Sequence, residues 1–182
     1  MTLDKLLIEF YAKNGIPKDG GVDDDTFEFK VFGLKINLPN PKFRREALYI
    51  HDIQHILNDC DTSWKGEGFI AGWEISTGIW KYFKLGFLSL WAMGYSLWIY
   101  PKSVLNGFKK GINEIGIIDL KISKSNFMKM QYSELVRITK KEKIRKMNVL
   151  QWTKFLFWVI TSQIIFLFPL IAIAIGLTFI MK

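Results

Sequence analysis

The sequence predicts a mainly α-helical protein with a small β-hairpin or strand near its N-terminus and a transmembrane helix at its C-terminus. Three observations carry that class. Apolar residues recur at helical spacing through most of the chain, a stretch near residue 30 alternates apolar with polar, and Phe155 to Met181 run 27 residues without a charge. We expect a helical domain over residues 1–150 and an anchor over 151–182. At 182 residues the chain is long enough to bury a core.

Leu3, Leu6, Leu7, Phe10 and Tyr11 share one helical face after Thr2, a residue type suited to an N-cap, and Asn14, Gly15 and Pro17 stop the run. An acidic, glycine-rich loop from Asp19 to Asp25 follows. In FEFKVFGLKINLPN, Phe27, Phe29 and Val31, then Leu34, Ile36 and Leu38, alternate with other residues about a slip at Gly33. That period of two predicts a small strand or hairpin packed on helices. Asn40-Pro41 marks a turn.

From Arg44 the pattern is helical to about Asn58, and the polar turn NDCDTSWKG leads to a second helix beginning near Glu67. Apolar residues then continue to Tyr100 with only Lys81 and Lys84 among the cations. Leu85 to Tyr100 is 16 residues, short of the ~20 that cross a bilayer. It reads as a core helix or the wall of an apolar groove rather than an element dipping into the membrane interface. Pro101 ends it, and two further helical patterns cover Val104 to Ile117 and Phe127 to Ile144.

The last element is the anchor. A 27-residue helix is about 40 Å long and the hydrocarbon of a bilayer about 30 Å thick, so Phe155–Met181 crosses with some tilt. Residues 101–154 hold 13 Lys or Arg against four acids, whereas residues 1–100 are slightly acidic. By the positive-inside rule the protein is a single-pass membrane protein with its globular part cytoplasmic. The N-terminal segment has no apolar signal-peptide core. Arg137, Lys140, Lys141, Lys143, Arg145, Lys146 and Lys154 abut the span, so anionic headgroups suit this block better than nucleic acid. One cysteine, Cys60, excludes an intrachain disulfide.

Both histidines of the chain lie in HDIQHILNDCDTSWKGE, residues 51–67. On a helix, His51, Asp52 and His55 fall within about a 100° arc, while Ile50, Ile53 and Leu57 occupy the other side. Imidazole and carboxylate groups at these offsets can converge on one metal ion. A fourth ligand must come from beyond the turn, and Glu67, in the first turn of the next helix, is in place to supply it. Two His, one Asp and one Glu suit Zn²⁺, with Fe²⁺ or Mn²⁺ as alternatives. The competing reading makes Asp59 and Asp61 turn residues, Glu67 a helix-start acid and the histidines partly exposed polar groups. The residues of metalloproteases of the H-E-x-x-H type, of His-Asp phosphohydrolases and of glutamate-rich di-iron bundles are absent, as are nucleotide-binding and nucleophile-elbow fingerprints.

The spacing H-D-x-x-H, eleven residues, then Glu resembles the signature of the ubiquinone-biosynthesis family known as coenzyme Q biosynthesis protein four. His51, Asp52, His55 and Glu67 match it position for position, Gly66 directly precedes Glu67, and GFKKG (Gly107 to Gly111) and Leu135 to Arg137 are similar to its later helices. The likeness spans about residues 40–145. It implies an all-α domain whose motif binds a divalent metal, usually zinc, and an apolar cavity for a polyprenyl chain. It also implies action on a prenylated quinone precursor at the ring decarboxylation and hydroxylation stage, a lyase-type reaction, together with partnership with other quinone-biosynthesis proteins. This chain departs from the family in its N-terminal hairpin and its own membrane span.

Glu74 follows Glu67 by seven residues and so lies on nearly the same helical face, where it is the candidate catalytic acid. Two other functions fit the same residues. One is a non-catalytic prenyl-lipid-binding scaffold with a structural metal; the other is a metal-dependent lipid hydrolase.

Overall fold

The helical spacing at the N-terminus forms α1 (Leu3–Asn14), which buries Leu3, Leu7 and Tyr11 and ends at Gly15 in the left-handed region (φ 66°). The computed structural model describes residues 1–31 and 33–180. It is mainly helical, with eight α-helices, a two-stranded antiparallel hairpin near the N-terminus and a long apolar helix at the C-terminal end. The start of α1 differs from expectation. Thr2 makes no side-chain cap; its backbone instead pairs with Gln131, and the Leu3 N–H donates to the Met130 carbonyl at 2.9 Å.

In the hairpin, β1 (Thr26–Val31) and β2 (Leu34–Pro39) set Phe27 opposite Leu38 and Val31 opposite Leu34, so the alternating residues share a face. Packing against helices was expected, yet every residue of β2 is exposed. On β1, the Arg44 guanidinium lies 3.7 Å from the centre of the Phe27 ring. Gly33 takes φ 78° at the expected slip.

α2 (Lys42–Asn58) starts directly after Pro41 and stops at Asp59, which is left-handed (φ 51°). α3 (Trp64–Thr77) begins before the expected Glu67 because Ser63 caps it. The Ser63 hydroxyl accepts from the Gly66 N–H, and the Asp61 carboxylate accepts from the Ser63 N–H at 3.1 Å. Gly78, at φ 104°, ends α3; a 3₁₀ turn (Ile79–Lys81) leads into α4 (Phe83–Ile99). Pro101 both ends α4 and opens α5 (Pro101–Gly111), where its missing N–H costs nothing. The single helix expected over 127–144 is two, α6 (Lys124–Lys129) and α7 (Tyr132–Thr139), separated by extended Met130.

The chain divides into two compact units, Met1–Asp59 with Lys121–Arg137 and Cys60–Leu120 with Ile138–Lys182. In the first, α1 packs on α2 and α6, and the Tyr49 ring meets the Phe127 ring at 6.2 Å. In the second, α3 packs on α5 and α4, and α4 packs on α8 (Val149–Ile180). Its core includes Ile75, Met93, Val104, Phe108 and Phe155. Gly72 and Gly107 let α3 and α5 touch backbone to backbone: a Cβ on Gly107 would collide with the Phe69 carbonyl, and one on Gly72 with the Val104 carbonyl.

Val149–Pro169, 21 residues of α8, is long and apolar enough to cross a membrane. Leu156, Phe157, Ile160, Ile164 and Phe168 are exposed, unlike the residues of a soluble core helix. The expected span Phe155–Met181 overlaps this segment; Met181 lies outside the described residues. Pro169 sits inside the helix, which continues past it.

Candidate metal centre

α2 buries polar side chains that a surface helix would leave in water. Asp52 is 6% exposed, Gln54 1% and His55 0%, and His51 is half-buried. The apolar residues Ile53 and Leu57 are buried too, so both sides of the amphipathic helix are buried. The partly exposed histidines of the competing reading do not describe His55.

One helical turn separates His51 from His55, and the two rings meet edge to face at 4.9 Å. Their Nε2 atoms stand 3.2 Å apart. Two nitrogens bound tetrahedrally at about 2.0–2.1 Å from zinc would themselves be about 3.3 Å apart, so the pair fits a shared ion with little adjustment. The Phe10 ring of α1 lies 6.0 Å from the His55 ring.

Asp52 is held by a residue that the spacing argument missed. The Tyr11 hydroxyl of α1 donates to Asp52 Oδ2 at 2.8 Å, within the interior. Burial and the neighbouring Asp52 carboxylate both push the Tyr11 phenol far above its ordinary range, so it stays a donor throughout the physiological range. Gly20, at φ 76°, leaves room for that hydroxyl, since a Cβ there would strike it. The only sequence sign of this contact was Tyr11 at the polar-tipped end of an otherwise apolar stripe.

Glu67 lies, as expected, in the first turn of α3, half-buried, and its N–H donates to the Ser63 carbonyl at 2.8 Å. Gly66 explains the Gly-Glu pair of the motif: any side chain there would collide with the Asp61 carbonyl. Asp59 and Asp61 are turn residues, the first ending α2 and the second holding Ser63. Cys60 is half-buried between them.

No family model, curated protein or solved structure matches this chain.

Glu74, further along α3, is 7% exposed and accepts a hydrogen bond from the Ser89 hydroxyl of α4 at 2.6 Å. Beside it, the fully buried Trp73 donates its indole N–H to Glu114 at 2.6 Å. These two glutamates are thus tied into the interior of the second unit, partners that no local pattern announced.

Proposed function

We propose that this chain is a membrane-anchored metal-binding protein that acts on or holds a prenylated quinone precursor, as its likeness to the ubiquinone-biosynthesis family implies. The observation that carries the metal is the 3.2 Å approach of the His51 and His55 Nε2 atoms on α2, beside a buried carboxylate. His51, His55 and Glu67 each offer a ligand atom; Asp52, the remaining residue of the motif, lies outside that group and accepts from Tyr11. The link Asp59–Ser63 between α2 and α3 is short, as the spacing of the motif requires.

The donor set suits zinc, with iron or manganese as alternatives. A divalent ion there would supply a Lewis acid for a carboxylate or phenolate oxygen of the precursor ring. The protein's own part is to hold the donors still: Tyr11 fixes Asp52, the helix fixes the two rings, and Gly66 with Ser63 fixes the start of α3. α8 anchors the chain in the bilayer with the globular part cytoplasmic, where its basic approach meets anionic headgroups. Prenyl lipid, membrane and other quinone-biosynthesis proteins are its partners; nucleic acid is not.

A scaffold with a structural metal is the second reading. Full burial of His55, together with the engagement of Glu74 by Ser89, supports it. Purified full-length protein, assayed for metal and for co-purifying lipid and then given prenyl-hydroxybenzoate and oxygen, separates the readings. The enzyme reading expects bound metal and released carbon dioxide that depends on Asp52 and Glu67. Lipid retained without conversion selects the scaffold, and turnover of generic lipid esters instead selects a hydrolase.

A further inference from the structure

α4 was expected as a core helix or the wall of an apolar groove; part of it is buried and part exposed. Gly86, Ser89, Leu90, Met93 and Ser96 face the interior, whereas Phe83 (83% exposed), Phe87 and Leu88 form an exposed stripe over its first turns, and Trp98 (65%) and Ile99 are exposed at its other end. Lys84 is the one charge on that stripe, at its N-terminal end. Scattered apolar residues on a surface need no explanation; an aromatic-rich exposed stripe over the first turns of a helix, with a second exposed pair at its far end, does.

What covers it follows from the neighbour. α4 packs against α8 at Ser162–Phe166, and Trp80, just before α4, meets Trp158, all inside the segment long and apolar enough to cross a membrane. The contact is close and partly polar. A Cβ on Gly94 would stand 2.6 Å from the Phe166 Cβ and 2.7 Å from the Ser162 carbonyl. Gln163 donates to the Gly94 carbonyl at 3.0 Å and accepts from the Trp98 indole at 2.9 Å. Small residues at the crossing and an amide satisfied by the partner helix are how helices associate within lipid.

Depth can be read along α8. Ser162 lies seven residues past Phe155, about 10 Å along the axis, and one leaflet of hydrocarbon is about 15 Å thick. A bilayer that encloses α8 therefore reaches α4. At about 25 Å, α4 is too short to cross alone. Its N-terminal end carries the residues of an interface, exposed Trp80 with Lys81 and Lys84.

We infer that α4 is a second membrane element, lying in the leaflet through which α8 enters, with Phe83, Phe87 and Leu88 against acyl chains, Trp80 at headgroup level and Trp98 deeper, beside Gln163. This rests on α8 being the anchor. The stripe then widens the protein's footprint in one leaflet, where a prenylated substrate would reside.

The test uses the full chain with Cys60→Ser, reconstituted in phosphatidylcholine–phosphatidylglycerol vesicles. Nitroxide labels are placed singly at Phe87→Cys, Leu88→Cys, Ile164→Cys on the exposed side of α8, and Lys18→Cys in the acidic loop. Relaxation by oxygen, which concentrates in lipid, is compared with relaxation by a water-soluble nickel chelate. Labels at 87 and 88 should give an oxygen-to-nickel ratio matching that at 164 and several-fold above that at 18. A ratio at 87 and 88 equal to that at 18, while 164 reads as lipid, overturns the inference and leaves the anchor standing. Labels shielded from both reagents would place protein, such as a second copy, over the stripe and overturn it as well. An aqueous reading at 164 removes the anchor and the inference together. Both test positions are exposed, so neither substitution disturbs the core.

Discussion

The Nε2 atoms of His51 and His55 face each other at 3.2 Å across one turn of α2. Either a proton or a metal ion can occupy the space between two such nitrogens, and the two cases respond differently to a chelator. If a metal binds there, it stabilises the native state by about 4 kcal/mol at a thousandfold excess over its dissociation constant. The wild-type protein should then lose thermal stability when treated with chelator and regain it with zinc. His55→Ala should melt lower and no longer respond to either. A chelator-insensitive wild type would assign the pair to a simple ring–ring hydrogen bond.

Tyr11 reaches Asp52 from 41 residues away and positions it through one hydrogen bond. Removing groups that orient a metal's ligands typically weakens metal binding by about 10- to 100-fold. Tyr11→Phe keeps the ring and its packing, so the variant should fold, lose about 1–3 kcal/mol of stability from the lost donor to a buried carboxylate, and bind zinc more weakly in that range. Competition with a fluorescent zinc chelator measures it. Unchanged affinity would show that Asp52 takes no part in the metal site.

How much of this was legible follows from the range of each interaction. α1, α2 and α8 declare themselves because periodicity, caps and length are local properties, and Glu67 falls in the first turn of α3 because a turn after Asn58 must be short. Gly78 lies in a largely apolar stretch with few charges, so α3 and α4 read as nearly one stretch; its left-handed backbone marks the break. The pairs Tyr11–Asp52, Ser89–Glu74 and Trp73–Glu114 join separate elements, and no window of sequence contains both members. Which residues of α4 are exposed was not legible for a related reason. Composition reports that a helix is apolar, but not which part of it a neighbour covers.

Asp19 organises the acidic loop by accepting from the Gly21 N–H at 3.2 Å and the Asp23 N–H at 2.9 Å. Those backbone donors, Asp23 first, hold its carboxyl below the usual carboxylate range. A pKa lower in the folded than in the unfolded state adds stability above the unfolded value of about 4, and that stability is lost as pH falls through the folded value. The wild type should therefore lose stability in the acid limb below about pH 4. Asp19→Asn should be less stable at neutral pH and flatter below it, so that the two melting curves converge in acid. Parallel curves would mean that the loop does not depend on this charge.

Gly107 decides how closely α3 and α5 can approach. Its missing side chain admits the Phe69 carbonyl and brings the Trp73 N to 3.0 Å from where a Cβ would stand, and backbone atoms cannot rotate out of the way as a side chain can. Alanine is the better helix former by about 1 kcal/mol on propensity alone, so an exposed glycine replaced there would stabilise. Here the helices must separate instead, and overpacking of a close interface costs about 1–3 kcal/mol or more. Gly107→Ala should thus lower the melting temperature despite its favourable propensity. Gly176→Ala, in the long C-terminal helix with open space where its Cβ would stand, should leave it unchanged or raise it. Thermal unfolding of the two variants in the same detergent tests the sign. A stabilised Gly107→Ala would show that α3 and α5 do not meet as closely in solution, and the packing that sets the position of Glu67 and Glu74 on α3 would have to be revised.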